Sequence, residues 1–308
     1  PEHPPLVKMA AGLPLLTLDI NFPTDSPAWQ TAVNGQWDAG SLFLYGVGND
    51  ADQIIRFSRI GPMMLMLLLI VAVYVWATEV IGAWWALLPA LATALSPNLL
   101  AHGHYVTTDI GAALGIVLSL FFFTRYLATP TKKSLIWAGV FFGVAQLMKF
   151  SAILLVIHFV FLSIIIAFSR ISQSAGHTFG HGLRSAGRYL GRVFLIFVIG
   201  AAIIYPVYWL TTLHYPPAKQ LADTIAILES LPAPPTPSRQ FCHPLRCLVD
   251  LTVWGADKPL VRPLSQYALG LLMVVQRSAG GNMVYFLGEV ANTAGPLYFP
   301  LIYLMKES

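Results

Sequence analysis

IGPMMLMLLLIVAVYVWA, residues Ile60–Ala77, is an apolar run without a single charged side chain. The hydrocarbon core of a bilayer is about 30 Å thick, and an α-helix needs about 20 apolar residues to cross it. Arg59 and Glu79 bound the run on its two sides, so its length approaches that of one membrane crossing. A surface helix of a soluble protein keeps a polar face, and this run has none. It therefore predicts a transmembrane helix.

Three further charge-free gaps repeat this pattern along the chain. They lie between Glu79 and Asp109, between Lys149 and Arg170, and between Arg192 and Lys219. Of the 308 residues, 56% are hydrophobic and only 10% are charged, whereas soluble domains carry about 25% charged residues. These observations exclude a soluble globular domain and predict an all-α integral membrane protein.

The apolar segments define a polytopic helix bundle. They are Ile60–Ala77, Ala83–Leu100, Ile110–Leu127, Leu135–Met148, Ser151–Phe168 and Val193–Leu210, and a further segment begins near Pro296. The stretch 135–168 is too long for one crossing at 1.5 Å per residue, so we expect a hairpin that turns near Lys149. The predicted organisation is a first outer loop (1–59), a bundle of about six transmembrane helices (60–210), a long extracytoplasmic loop (211–295) and the start of another helix (296–308).

Basic residues cluster in two of the connecting loops. They follow the third apolar segment or precede the sixth, and they are Arg125, Lys132, Lys133, Arg170, Arg184, Arg188 and Arg192. Two segments separate these loops, so both lie on one side, which the positive-inside rule makes cytoplasmic. Glu79 falls on the same side and slightly reduces the excess of positive charge there. The opposite, outer side then receives residues 1–59, residues 101–108, Lys149 and residues 211–295.

The net charge of +4 does not form a patch of the kind that binds nucleic acid, because the basic residues flank apolar runs. Cys242 and Cys247 lie close together in a polar, proline-rich stretch, and a disulfide is expected if that stretch faces an oxidising compartment. A metal site built from Cys242, His243 and Cys247 would lack a fourth ligand here. Whether the protein uses a divalent metal stays open.

The sharpest local feature is the sequence SPNLLAHGHYVTTD, residues Ser96–Asp109. It places His102, His104 and Asp109 at the outer membrane surface, directly before a helix. Thr108 or Asp109 could simply cap the exposed N–H groups of that helix. Alternatively, the Asp109 carboxylate takes a proton from an acceptor or orients it, while the histidines bind a polar headgroup. Spacing alone does not choose between the two.

Lys149 interrupts an otherwise apolar stretch. An ionisable residue at such a position indicates a functional site by default, although a lysine at the turn of a hairpin can also extend to the membrane surface. His158 lies in the middle of an apolar segment, where a hydrogen bond inside the bundle is the simpler prediction.

Three stretches of the chain resemble the polyprenyl-phosphate-sugar-dependent glycosyltransferases of the GT-C superfamily, in the bacterial branch similar to protein O-mannosyltransferases. The first is EHPPL, which looks like the HPPL motif of the family's first outer loop. The second is SPNLLAHGHYVTTD together with the segment that contains Lys149-Phe150-Ser151. The third is YFLGE with Tyr298-Phe299-Pro300 and Lys306. The three occur in the family's order, and the helix count and sidedness agree.

The resemblance implies a GT-C-like helix bundle that transfers a sugar, with inversion, from a polyprenyl-phosphate donor to an acceptor hydroxyl. Transfer would take place at the outer face of a bacterial cytoplasmic membrane. The sugar stays open, as does the acceptor, which could be protein, lipid or glycan. Asp109 matches the acidic position of the family's second outer loop and is expected to be catalytic. The residues expected to bind substrate are His3, Arg59, His102, His104, Lys149, Tyr267, Glu289 and Tyr298.

Two positions depart from the family pattern. The first acidic residue of the family, which is assigned the role of base, lies before the HPPL motif, so we expect this chain to be part of a longer protein. Many relatives carry an arginine where this chain has His104, and a histidine is only partly charged near neutral pH. Arg59, Lys149, Arg262 or Arg277 would then supply the cation.

These departures leave a rival hypothesis open, namely a non-catalytic GT-C-like subunit of a membrane assembly. A transporter is disfavoured, because there is no internal repeat and there are no paired broken helices.

Overall fold

A computed structural model of the chain describes residues 2–172, 179–229, 244–280, 283–291 and 295–306. Residues 2–128 form eight α-helices in chain order: α1 Pro5–Gly12, α2 Pro27–Gln30, α3 Gln36–Ser41, α4 Ala51–Ser58, α5 Ile60–Ile81, α6 Leu87–Leu95, α7 Pro97–Gly103 and α8 Asp109–Ala128. A 3₁₀ helix, Leu13–Thr17, extends α1, and a π-helical turn, Leu42–Gly46, follows α3.

The later part of the chain adds α9 Lys132–Met148, α10 Leu154–Ser172, α11 Phe179–Thr212, α12 Pro217–Leu228, α13 Pro244–Gly255, α14 Arg262–Gly280 and α15 Tyr298–Lys306. A 3₁₀ turn, Phe150–Ile153, joins α9 to α10. Strands β1 Val284–Phe286 and β2 Glu289–Ala291 pair antiparallel, with Tyr285 opposite Val290. In the part of the stretch 211–295 that the structure describes, which was expected as a loop, there are three helices and this short hairpin.

Four helical stretches in the described part of the chain are long and apolar enough to cross a membrane. They are Ala51–Ile81, Asp109–Ala128, Phe150–Ser169 and Ala186–Thr212. Leu154, Ile157 and Phe194 leave well over half of their side-chain surface uncovered on the outside of the bundle, which is the arrangement that lipid contact requires. The prediction of a helical, polytopic membrane bundle is confirmed.

The segment Ala83–Leu100, predicted as one apolar run of the bundle, is not a single helix. The structure divides it into α6 and α7 at Ser96. Pro97 lacks the N–H that a continuing helix would use, and its ring restricts the residue before it. The Ser96 hydroxyl accepts a hydrogen bond from the Leu99 N–H and so begins α7 as a new helix.

Aromatic side chains fill the centre of the bundle between α8, α9, α10 and α11. Phe123 and Phe159 stack with ring centroids 3.7 Å apart, and Phe142 and Phe197 pack beside them. Where α9 crosses α11, a Cβ atom on Gly143 would lie only 2.7 Å from the Gly200 carbonyl oxygen. Small residues at helix crossings let membrane helices approach closely.

Ion pairs mark the two ends of the bundle. Arg125 of α8 lies 3.3 Å from Glu79 of α5 at one end. At the opposite end, where α8 begins and α9 finishes, Lys149 contacts Asp109. We call the latter the Asp109 end, and α1 and α14 both pack against it, α1 against α9 and α14 against the 3₁₀ turn that follows α9.

Candidate functional site

Asp109 is the first residue of α8. Thr108, at the N-cap position, makes no capping hydrogen bond through its side chain. The Asp109 carboxylate still lies in the first turn, where the helix dipole favours a negative charge. Its strongest contact, however, is to another helix rather than to the N–H groups of α8.

That contact is an ion pair with Lys149, whose Nζ donates to Asp109 Oδ1 at 2.7 Å. Lys149 ends α9 in an extended conformation, with φ −155° and ψ 138°, and this turns its side chain back towards the start of α8. The second carboxylate oxygen, Oδ2, lies 3.6 Å from His102 Nδ1. Side-chain exposures of 44% for Asp109 and 32% for Lys149 leave the pair open to solvent.

His104 and Arg59 both contact Tyr105 in the loop that precedes Asp109. His104 Nδ1 lies 2.9 Å from the Leu100 carbonyl oxygen, and its ring lies against that of Tyr105 at 4.2 Å. The Arg59 guanidinium lies over the same Tyr105 ring, 5.7 Å from its centroid. The two residues therefore support the loop between α7 and α8, and within the described part of the chain neither side chain pairs with the carboxylate of Asp109.

His3 lines a cavity of about 350 Å³ at the same end of the bundle. The cavity walls are Glu2, His3, Met273, Val274, Gln276, Arg277 and Ser278. Desolvation by the surrounding protein lowers the pKa of His3, and the nearby charges of Lys8, Lys149 and Arg277 lower it further, while Glu2 opposes them. A histidine that senses three cations and one carboxylate lies in a positive environment, and this is the electrostatic setting that a phosphate group requires.

Tyr267 is buried inside the helix packing. Its hydroxyl donates to Gln146 Oε1 at 2.9 Å, and its ring contacts those of Phe150 and Tyr208. Burial raises the pKa of Tyr267, so the hydroxyl stays protonated. A Cβ atom on Gly270, one turn further along α14, would lie 2.0 Å from the Phe150 ring. Tyr267 therefore helps to hold α14 against the bundle.

The contacts that the structure describes for the remaining candidates are with residues other than Asp109. Glu289 is exposed on β2 and pairs through its backbone with Phe286, whose ring contacts Tyr298 at the start of α15. Arg262 donates to Gln220 Oε1 at 2.8 Å and to the backbone carbonyls of Thr212 and Tyr215, so its cation serves the packing of α12 against α14.

Cys247 is disulfide-bonded, and its predicted partner Cys242 lies outside the described residues, as does His243. Among the residues that the structure does describe, no three His, Cys, Asp or Glu side chains lie close enough to hold a metal ion.

Sequence reasoning missed three charged residues, one near His3 and two that pair on α12. Lys8 lies on α1 near His3, and only its position two residues beyond the HPPL motif could have indicated it. Lys219 and Asp223 form an ion pair of 2.8 Å on α12, and their spacing of four residues is the signal that could have found it.

A family model described as dolichyl-phosphate-mannose-protein mannosyltransferase matches residues 47–209. This range covers slightly more than half of the chain and includes both Asp109 and Lys149, whereas the HPPL motif and the region after α11 lie outside it. No curated protein and no solved structure matched the chain. A match of this extent, on a bundle of long apolar helices, means that the chain belongs to the dolichyl-phosphate-mannose-protein mannosyltransferase family, which consists of membrane glycosyltransferases.

Proposed function

We propose that this protein transfers a hexose from a polyprenyl-phosphate donor to an acceptor hydroxyl, with inversion at the anomeric carbon. The observation that carries the proposal is the Lys149–Asp109 ion pair, which stands open to solvent at one end of an apolar bundle. Ionisable residues within or at the ends of membrane helices are rare and mark a functional site by default.

The cations at the Asp109 end fit the donor phosphate. Lys149 lies close to His102 and His3, and Arg277 lines the cavity that His3 borders. In the reaction, the acceptor oxygen forms a bond to the anomeric carbon while the bond from that carbon to the phosphate oxygen breaks. Negative charge then grows on the departing polyprenyl phosphate, and fixed cations stabilise it more in the transition state than in the bound donor.

Asp109 has two tasks in this proposal. Its oxygens face Lys149 and His102, so it holds both side chains where the phosphate would leave. Because the carboxylate is also 44% exposed, an acceptor hydroxyl can approach it, and Asp109 then orients that hydroxyl or accepts its proton.

The orientation of the site follows from the charges at the two ends. Arg125, Lys132 and Lys133 lie at or beyond the end opposite Asp109, and the positive-inside rule makes their side cytoplasmic. In this proposal the Asp109 end faces the outside of a bacterial cytoplasmic membrane, where the long region after α11 also lies.

The test is transfer and hydrolysis of radiolabelled polyprenyl-phosphate mannose by the protein reconstituted in lipid nanodiscs. Lys149→Met should lower the rate by about 10²–10³-fold, as the loss of one charge-stabilising donor does in other enzymes. Lys133→Met, which removes an exposed lysine at the opposite end, should leave the rate unchanged. Equal rates for the wild type and Lys149→Met would overturn the role of the ion pair. A wild type that neither transfers nor hydrolyses any lipid-linked sugar would point to an accessory subunit.

A further inference from the structure

A second and larger cavity, of about 820 Å³, lies between the first segment of the chain and the region after α11. We call it the Trp29 cavity. One wall comes from residues 24–39, and the other comes from residues 210–223. Its volume falls within the range of about 300–1,000 Å³ that small-molecule sites occupy. The proposed chemistry at Lys149 does not use any of its lining residues.

One wall of the Trp29 cavity carries a fixed polar cluster. Asp223, which is 8% exposed, accepts hydrogen bonds from the Tyr215 hydroxyl at 2.5 Å and from Lys219 Nζ at 2.8 Å. Lys219 also donates to the Thr31 carbonyl oxygen at 3.2 Å and so ties the two walls together. Burial and the neighbouring carboxylate raise the pKa of Tyr215, so its hydroxyl stays a donor. A ligand in the cavity therefore meets oriented hydrogen-bonding groups.

The other wall offers an aromatic face. Trp29 is 55% exposed, and its ring meets the Phe22 ring edge-on at 4.8 Å. Ser26 caps the short helix α2 by accepting from the Trp29 backbone N–H, which fixes the start of the helix that carries the indole. An exposed indole held in this way presents a rigid apolar face beside polar groups.

Asn34 connects the Trp29 cavity to the site around His3. It lines the cavity, and its backbone adopts the left-handed conformation with φ +57°. Its side-chain oxygen is buried without a hydrogen-bond partner, while its Nδ2 donates to Glu2 Oε1 at 3.4 Å. Glu2 is a wall of the cavity that also holds His3 and Arg277. The two cavities are therefore neighbours, separated by the Asn34–Glu2 contact.

The charge of the Trp29 cavity disfavours an anionic ligand. Its lining contains the carboxylates of Asp25 and Asp223 and a single ammonium group, that of Lys219. The cations that suit a phosphate lie instead around His3. A neutral, hydroxyl-rich ligand matches both features of the Trp29 cavity, because carboxylate and amide oxygens accept hydrogen bonds from hydroxyls and an indole covers the apolar face of a sugar ring.

We propose that the Trp29 cavity binds a sugar residue of the acceptor, and hence that the acceptor of this protein is a glycan. The proposal rests on the proposed function, since it takes the neighbouring cationic cavity as the donor site. A sugar held against Trp29 and Asp25 would direct one of its hydroxyls past Asn34 and Glu2 towards the anomeric carbon of the donor. An extended peptide fits less well, because no strand edge lines the described walls of the cavity.

The experiment measures sugar binding in the absence of any donor, so it does not depend on catalysis. The methyl glycosides of mannose, glucose, galactose and N-acetylglucosamine are tested by saturation-transfer NMR with the protein in lipid nanodiscs. At least one should bind. Asp25→Asn should weaken that binding by about tenfold or more, which is the scale of losing a hydrogen bond to a charged group, and Trp29→Ala should weaken it by about as much because the sugar ring loses its contact with the indole.

Two neighbouring residues give matched controls. Trp37 and Asp38 lie on α3, and neither is among the residues that line the cavity. Trp37→Ala and Asp38→Asn should bind the glycoside as the wild type does. Absence of binding for all four glycosides would overturn the proposal, and so would equal losses in the cavity and control variants.

Two further outcomes separate this proposal from the function on which it rests. A serine-rich peptide that binds in a Trp29-dependent way, while the glycosides do not, would overturn the glycan and indicate a protein acceptor. Glycoside binding by a wild type that fails to hydrolyse polyprenyl-phosphate mannose would leave the sugar site in place and contradict the donor chemistry.

Discussion

Lys149 and Asp109 are 40 positions apart in the chain and 2.7 Å apart in the structure. Each group would be costly near hydrocarbon alone, and each reduces that cost for the other. Because the two side chains keep 32% and 44% of their surface exposed, the pair contributes little to the free energy of unfolding. An exposed pair at the start of a transmembrane helix is better explained by ligand binding than by stability.

Replacing Asp109 by Asn separates a structural role at the helix end from chemistry. Asp109 lies in the first turn of α8, behind the N-cap Thr108, so a role limited to the helix dipole predicts a loss of only about 0.3–1 kcal/mol in stability and almost no change in transfer. If the carboxylate orients or deprotonates the acceptor, sugar transfer should fall by about 10²–10⁴-fold while expression stays normal. Transfer of labelled mannose from the polyprenyl-phosphate donor measures this.

Asp52→Asn is the matched control, because Asp52 also lies in the first turn of a helix, α4. We expect it to keep wild-type transfer. Undiminished transfer by Asp109→Asn would end the catalytic assignment of Asp109.

The lowered pKa of His3 predicts a pH dependence of stability. Below the ordinary histidine pKa of 6.5, His3 takes up a proton in the unfolded chain, whereas its lowered pKa keeps it neutral in the folded protein. Stability should therefore fall as the pH drops from about 7 through 6.5 and towards the lower pKa of the folded state. The effect is small, because the side chain remains partly in contact with solvent, which screens the charges around it.

The measurement is the melting temperature of the wild type and of His3→Gln between about pH 5 and pH 7.5. The wild type should lose stability more steeply on acidification than His3→Gln. Parallel curves for the two proteins would contradict the influence of Lys8, Lys149 and Arg277 on His3.

At the scale of the helices, two interruptions shape the Asp109 end. Pro97 and the capping Ser96 divide the return path after α5 into α6 and α7, and the last turn of α7 then brings His102 to Asp109. Lys149 leaves α9 in an extended conformation and starts a 3₁₀ turn. At both interruptions the backbone leaves the helical conformation next to the ion pair of Asp109 and Lys149. Irregular backbone in a membrane protein is tolerated where it is buried in protein or lines a water-filled cavity.

The crossing of α9 and α11 should not tolerate a side chain at Gly143. An added Cβ would lie 2.7 Å from the Gly200 oxygen and 2.8 Å from Ile203 Cβ. We expect Gly143→Ala to cost about 1–3 kcal/mol of stability through overpacking. The melting temperature in detergent reports this loss.

Gly191→Ala, in α11, is the control, since nothing lies within 4 Å of its added Cβ. Alanine favours a helix over glycine by about 0.5–1 kcal/mol, so this variant should melt at or above the wild-type temperature. A Gly143→Ala variant that behaves in the same way would show that the crossing is looser than the structure indicates.

At the scale of the whole molecule, the proposed orientation predicts which surfaces a membrane-impermeant maleimide can reach. Leu260, between α13 and α14, is 80% exposed and should lie outside, so Leu260→Cys should label in intact cells. Ser169, near the end of α10, should lie inside, so Ser169→Cys should label only after permeabilisation. The reverse pattern would invert the orientation.

The compartment also determines the state of the cysteines. Cys247 is disulfide-bonded, and pairing with Cys242 stays a prediction that follows from an oxidising outer space. The denatured, unreduced protein should show no free thiol, and reduction should release both of its two cysteines. A free thiol before reduction would contradict an outer location of this region.

The sequence by itself determined that this protein is a membrane-embedded helix bundle and which family it resembles. Hydropathy and charge-free length are properties of contiguous residues, and a bilayer requires that every spanning backbone satisfy its own hydrogen bonds. For the same reason, SPNLLAHGHYVTTD and Lys149 could be singled out as polar interruptions of apolar runs.

Only the tertiary structure decided which of these polar residues meet. Asp109 pairs with Lys149 because α8 and α9 pack antiparallel through small residues such as Gly115 and Ala145. Tyr267, expected to bind substrate, and Arg262, one of four alternative cations, both make hydrogen bonds that hold α14 against its neighbours. The Trp29 cavity could not be predicted at all, because its walls lie about 200 residues apart in the chain. Such contacts depend on the shapes of packed side chains, and hydropathy carries no information about shape.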